Sequence, residues 1–397
     1  MQSVALFVEQ ACACRREEPE TQGEKKMPQF EQEYSKSLPQ WLAANISRVL
    51  VALFVPVITF FAMWRAFIFM RESDAPQALI ALVAIITGVG GVAILYIMAN
   101  WFVEQFPAQW TRRLQPFVFV GPAIAIMAWY LFIPALRSFH ASFFDANTQH
   151  FVGLSNYLYT LTDKTMLEAY RNNLFWLIFG TLLSVGFGLL IAILADRSKF
   201  EFVAKTLIFL PMAISMVGAS VIWKFVYAFK PASAGQIGLL NAIVVAFGGE
   251  PVGWLQLHGW NTFFLIAILV WLQTGYAMVI LSAAIKQVPT EIMEAGRIDG
   301  ANELQIFFRI IIPTIQGTIV MVSTTVLIMT LKVFDIVYSM TNGLYGTEVI
   351  ASLQVKQMFR FRDYGRGSAI AILLLLAVIP IMWYNLREFF GKREVFK

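Results

Sequence analysis

Charge is scarce in this sequence. Lys, Arg, Asp and Glu make up 14% of its 397 residues, against roughly a quarter in a soluble globular chain. So few charges cannot cover a water-facing surface, which excludes an ordinary soluble domain. Cysteine is nearly absent, and the two present, Cys12 and Cys14, sit together near the N-terminus. They supply neither a disulfide framework nor, with His140, His150 and His258 scattered along the chain, a tetrahedral metal set. No Gly-x-x-x-x-Gly-Lys-Ser/Thr run is present to cradle phosphates, and no Ser/His/Asp set stands at a plausible spacing. The chain is therefore expected to be non-catalytic and to bind no metal or cofactor itself. The first ten residues lack the long apolar core and cleavage site of a secretory signal.

Apolar residues are what the sequence has in plenty. They form 58% of the chain and come in long blocks. Blocks of about 18 or more read as membrane-spanning helices, because lipid offers no partner to an unpaired backbone N–H or C=O. The expected fold is all-α and polytopic, with about eight transmembrane helices at 46–69, 78–103, 117–136, 173–195, 205–229, 262–285, 315–340 and 368–387. The glycines Gly88, Gly90 and Gly91 suit close packing of the second helix. Pro211 and Pro380 lie inside the fifth and eighth. The expected organisation is a polar N-terminal cytoplasmic tail (1–44), with Met27 as an alternative start, two N-terminal helices (45–110) and a six-helix core (111–397).

The net charge of +5 fits basic residues flanking the spans on the cytoplasmic side better than nucleic-acid binding. Arg112 and Arg113, then Arg197, Lys199 and Lys205, then Arg387, Lys392, Arg393 and Lys397 all fall on one side of an eight-span chain, together with both termini. The positive-inside rule makes that side the cytoplasm of an inner or plasma membrane. Lys356, Arg360, Arg362 and Arg366 pull the other way. The outer loops are then 137–172, 230–261 and 341–367. Their aromatics, Tyr157, Tyr159, Trp254 and Trp260, suit membrane interfaces, or loops that pack together and receive a soluble partner.

One cytoplasmic loop, 286–314, carries most of the local signal. Thr290 after Pro289 can cap a helix. Glu291 and Glu294 sit where the positive helix end favours carboxylates. Gly300 can end that helix in the left-handed conformation. Asn302 with Gln305 three residues on forms a capping box for a second helix. Leu304, Phe307, Phe308 and Ile311 would lie on one face of that helix at 3.6-residue spacing, and Pro313 punctuates its end. Local physics leaves two readings open: a docking surface projecting Glu291, Glu294 and Arg297, or an amphipathic loop lying on the membrane.

The pattern Glu294, Ala295, Gly296, three residues, Gly300, nine residues, Ile310, one residue, Ile312, Pro313 resembles the EAA loop of binding-protein-dependent ABC importer permeases. Gly296 and Ile312 depart from the usual Ala and Leu. Asp299 before Gly300 is similar to the carbohydrate branch. So are Gly121, Pro122, Pro134, Asn172, Asn173, Leu210, Pro211, Thr341, Asn342 and Gly343, which together are most like the larger maltose-type subunit, and among those like α-glucoside and glucosylglycerol permeases. The resemblance implies ATPase coupling through Glu291, Glu294, Ala295, Gly296, Arg297, Asp299, Gly300, Ile310 and Pro313. It also implies partners: a second permease subunit, two ATPase subunits that hold the ATP and Mg, and an extracytoplasmic solute-binding protein, all around membrane lipid.

Ionisable groups inside a span usually face an interior or a partner. Lys332 and Asp335, one turn apart late in the seventh span, with Phe334 beside them, read either as a lining of the solute path or as a neutralising structural pair. Trp271, Gln273, Thr274 and Tyr276 in the sixth span offer the stacking face and hydrogen bonds that sugars need, or serve helix packing. Other solutes, such as a polyol or glycerol phosphate, and a secondary transporter with no ATPase, are the alternatives.

Overall fold

The computed structural model describes residues 46–391 apart from 107 and 197. The tail 1–44 with Cys12, Cys14 and Met27, and the basic residues Arg197, Lys392, Arg393 and Lys397, lie outside the described residues. Among those described, regular structure is helical, and β pairing is limited to a single bridge between Phe144 and Phe151. The chain divides into two compact units, Met1–Phe132 and Ile133–Lys397.

The first unit holds α1 (Ile46–Glu72), α2 (Gln77–Glu104) and α3 (Ala108–Met127). The C-terminal half of α2 packs on both neighbours. Of its three glycines only Gly91 is a contact: a Cβ there would stand 2.5 Å from Met63 Cε, whereas Gly88 and Gly90 face open space.

The second unit runs α4 (Ile133–Ala141), α5 (Ser155–Thr162), α6 (Lys164–Asp196), α7 (Glu201–Phe209), α8 (Met216–Val226) and α9 (Leu239–Ala246). It continues with α10 (Asn261–Lys286), α11 (Thr290–Ile298), α12 (Glu303–Thr314), α13 (Gln316–Leu331), α14 (Asp335–Met340), α15 (Ile350–Val355) and α16 (Tyr364–Gly391). Its centre is α10, of which 67% of the most apolar stretch is buried. A helix apolar all round must be enclosed by others or by lipid. Here α6, α7 and α13 enclose it. Small residues allow the approach: a Cβ on Gly188 would meet Ala277 Cβ at 2.5 Å, and one on Gly275 would meet the Ile208 carbonyl oxygen at 2.5 Å. Two apolar clusters result. One gathers Trp176, Leu265, Leu269, Val333 and Ile336; the other gathers Val185, Met278, Leu281 and Val326.

By length and composition five helices are able to cross a membrane, or seven if each of two bent pairs counts as one span. The expected span that remains is the first, 46–69: it corresponds to α1, which has 27 residues but is not among those seven. The two bent pairs correct the sequence reading. The fifth span is not one helix: α7, with its extension to Ala213, and α8 meet at 105°. Pro211 starts a short 3-10 turn there, and Ser215 opens α8 by accepting a hydrogen bond from the Gly218 N–H at 3.0 Å. The seventh span does not reach 340. α13 stops at Leu331, Lys332 caps it, and α14 begins afresh at Asp335. At its other end α13 leaves α12 at 72°.

The expected outer loops are structured, and buried asparagine amides hold them. Asn172 Nδ2 donates to the carbonyls of Gly346 and Glu348, both at 2.8 Å. Asn173 donates to Leu331 O at 3.1 Å and accepts from the Ile350 N–H at 2.9 Å. Asn261 donates to Tyr345 O at 2.7 Å, and Asn241 closes the 228–252 segment in the same way. Three long-range staples converge on 345–350, so the outer segments do pack on one another. The basic residues of 341–367 are partly neutralised. Lys356 pairs with buried Glu348, and Arg366 lies 4.2 Å over the Tyr159 ring and 3.4 Å from Asp363. In the turn after α4, the Gln149 and His150 amides donate to Asp145 and hold its carboxyl below the usual 3.8.

Candidate functional site

The 286–314 loop folds as two short helices set against the ends of α6, α10 and α13. Pro289, not Thr290, occupies the cap position of α11, and no side chain caps the first amides. Proline's fixed φ suits the approach to a helix, so Thr290 becomes the first helical residue. The far end of α11 behaves as read. Gly300 has φ +82°, its N–H bonds Arg297 O at 3.0 Å, and the Ala301 N–H bonds Gly296 O at 3.0 Å. That pair of bonds is the Schellman closure, whose left-handed residue is usually Gly and sometimes Asn. Asn302 and Gln305 form the reciprocal capping box, at 2.8 and 2.9 Å.

The apolar stripe differs from the expectation. A π turn over Phe307–Ile311 inserts one residue into the register. The buried side chains are therefore Ile306 (1% exposed), Ile311 and Ile315, joined by Val288, with Met293, Ala301, Phe307 and Ile310 packed around them. Leu304 and Phe308, expected on one face with Phe307 and Ile311, are instead 69% and 62% exposed. Ile298 is 86% exposed, and Ile292 is exposed beside it. Around these apolar residues Glu291, Glu294, Ala295, Arg297, Asp299, Gly300 and Pro313 are also exposed. Arg297 Nε donates to Glu303 Oε1 at 2.9 Å and ties the two helices together. The two capped helices thus expose apolar and charged side chains together. Such a face suits a protein partner better than water.

The solute-path candidates fall into two groups. Trp271 packs edge-to-face on Trp223, ring centres 5.9 Å apart, against the first apolar cluster; Tyr276 packs against the second. Thr274 is buried, and its hydroxyl is spent on Val270 O at 2.6 Å. These three do not share one polar surface. Gln273 is buried with its side-chain oxygen unpartnered among the described residues. A buried acceptor left unpaired costs about 1–3 kcal/mol, so Gln273 is the one member of the set with an unmet demand.

Lys332 and Asp335 are not on one helical face, because the chain breaks between them, and among the described residues neither has an ion-pair partner. Val333, Ile336 and Val337 turn into the first cluster. Lys332 is exposed, and Phe334 and Asp335 are half-buried. Tyr338, absent from the sequence reading, stacks on Phe334 at 5.0 Å and is half exposed. Its spacing of four residues from Phe334 was the available signal. The kink therefore presents a cation, a carboxylate and a stacked aromatic pair away from the core.

Residues 184–393 match the family described as binding-protein-dependent transport system inner membrane component. The chain is 57% identical over 278 residues to the osmoprotective compounds uptake permease protein GgtC of Synechocystis sp., covering 70% of this chain and 100% of that one. It is 51% identical over 278 residues to the alpha-glucoside transport system permease protein AglF of Rhizobium meliloti, covering 70% of this chain and 83% of the relative. The fold is similar to a chain in the crystal structure of a bacterial alginate ABC transporter in complex with an alginate pentasaccharide-bound periplasmic protein. The TM-score is 0.61 at 19% identity, over 69% of this chain and 93% of that one.

Proposed function

The chain belongs to the inner membrane components of binding-protein-dependent transport systems, and on that premise we propose that it carries a sugar or sugar-derived solute: an α-glucoside, glucosylglycerol or a related disaccharide. It is a non-catalytic, multi-pass permease subunit of the inner membrane. The relatives' names, osmoprotective compounds for one and α-glucosides for the other, support this choice of solute.

The observation that carries the coupling role is the exposure of four apolar side chains of the loop, Ile292, Ile298, Leu304 and Phe308, together with the charged Glu291, Glu294, Arg297 and Asp299. On this reading the face seats one of two ATPase subunits, which hold the ATP and Mg. The assembly pairs this chain with a second permease subunit and takes its solute from an extracytoplasmic binding protein. Both termini lie in the cytoplasm. Residues 111–397 form the six-helix core and 45–110 stand outside it. Lys332, Phe334, Asp335 and Tyr338 line this subunit's share of the path, with Gln273 as a further hydrogen-bonding group.

The chemistry of coupling is differential contact. A partner that binds the loop better in one state biases the helices attached to it by that difference in affinity. Uptake of labelled glucosylglycerol, sucrose, trehalose and maltose in a strain lacking this chain tests the solute. Loss of glucosylglycerol or disaccharide uptake is expected; unchanged uptake of all four rejects the sugar assignment.

A further inference from the structure

Five side chains, four outside the loop and Lys286 at its first position, meet where α6 stops, α7 starts and α10 ends. Lys205 Nζ donates to Asp196 Oδ1, to Glu201 Oε1 at 2.6 Å and to Ser282 Oγ. That uses all three of its donors. Ser282 Oγ donates to Asp196 Oδ1 at 2.8 Å. Lys286 Nζ donates to Glu201 Oε1. The set holds two lysines and two carboxylates, so its formal charge is zero, as a cluster at the edge of lipid requires. Lys205 and Asp196 are mostly buried; Lys286 is half exposed.

The placement of the partners is informative. Asp196 is the last residue of α6, and Glu201 is the first of α7. Ser282 and Lys286 lie one turn apart on α10, and Lys286 is its final residue. Three residues later Pro289 leads into α11. The far end of α7 is also seated on α10, where the Ile208 and Phe209 backbone crosses Gly275. α7 is therefore fastened to α10 at both ends: by backbone contact near the 105° bend, and by ion pairs beside the loop. A surface cleft of 620 Å³, lined in part by Glu201, Lys205, Phe209 and Val279, opens along α7.

We propose that Glu201, Lys205, Ser282 and Lys286 are positioning residues that pass a displacement of the ATPase-docking loop to the broken fifth span. Without them, movement of α11 is absorbed in the short 287–289 connection. With them, α10 and α7 shift as one body and the bend before α8 receives the motion. The inference rests on the reading of 286–314 as the ATPase seat.

The test uses the full transporter, with both permeases, the ATPase and the binding protein, reconstituted in proteoliposomes. Glu201→Lys, Lys286→Glu and the combined exchange are compared, because the exchange keeps the cluster neutral. Each single variant is expected to co-purify with the ATPase as wild type does, yet to lose roughly tenfold in solute taken up per ATP hydrolysed, within the usual range of coupling between sites. The double exchange is expected to recover part of that ratio, since it restores the pair between α7 and α10 but leaves Lys205 with Asp196 as its one carboxylate. Glu201→Gln and Lys286→Met, which add no repulsion, should fall between. Single variants with wild-type uptake per ATP, or a double exchange no better than the singles, overturn the proposal. Failure of the underlying docking reading looks different: the ATPase then stays bound in variants of Glu294 and Gly300 that disrupt the loop face.

Discussion

A Cβ on Gly296 would stand 2.8 Å from Cδ1 of Ile310. The two residues occupy the motif positions that hold the helices of the docking loop together, and the departure from alanine at 296 matches a side chain that fills the space. The intruding atom is the tip of a flexible chain, so Gly296→Ala is expected to be tolerated. Its gain in helix propensity, about 1 kcal/mol, offsets a small shift of Ile310. Gly296→Val is expected to push α12 off α11 and to reduce ATPase co-purification. Thermal unfolding of the detergent-solubilised chain and a pull-down of the ATPase read the two effects separately.

Gly300 presents the opposite case. No atom lies within 4 Å of its missing Cβ, yet its φ is +82°. The penalty for any side chain there is conformational, roughly 1–2 kcal/mol. Gly300→Asn is expected to retain most ATPase stimulation by loaded binding protein, and Gly300→Val to lose most of it. Equal activity of the two variants contradicts the left-handed closure of α11.

The staple at Asn172 serves two carbonyls, those of Gly346 and Glu348, from one buried amide. Asn172→Leu is expected to destabilise the second unit by about 2 kcal/mol, the typical range for stranded buried acceptors. Asn172→Asp loses the amide donors and should be at least as harmful. Both effects are measured as a fall in the thermal midpoint in detergent.

Glu348 is buried beneath Gly343, and Lys356 is its ion-pair partner. Removing one partner of such a pair leaves a stranded charge, at about 3–5 kcal/mol. Lys356→Met is expected to be strongly destabilising. The double variant Lys356→Met with Glu348→Gln is expected to recover much of the loss. Because Lys356 also donates to Asn342 O at 2.8 Å, recovery should stop short of wild type.

What could be read from the sequence was short in range. The capping box of Asn302 and Gln305 and the left-handed Gly300 depend on neighbours within six positions, and both stand as expected. The membrane class follows from composition and needs no tertiary information. The break at Ser215 was hidden because hydropathy runs on across it: a bent pair and a straight span have the same composition. At Lys332 the charges of Lys332 and Asp335 were the available signal, and they read equally well as a pair on one unbroken helix. The stripe failed at Phe308 for another local reason. One extra residue in the turn over Phe307–Ile311 rotates Phe308 off the buried face, and periodicity counted at 3.6 has no means of sensing it. The asparagine staples and the cluster around Lys205 join residues up to 177 positions apart, which only the packed structure brings together.

The seat of α7 on Gly275 limits how the fifth span is able to move. Residues 271 and 279, one turn either side on α10, are Trp and Val. Sliding α7 along α10 by a turn would drive its backbone into one of those side chains, since only position 275 has the vacancy for it. Translation of α7 along α10 is therefore opposed in both directions. The freedom left to the bend is rotation in place: a turnstile rather than a piston.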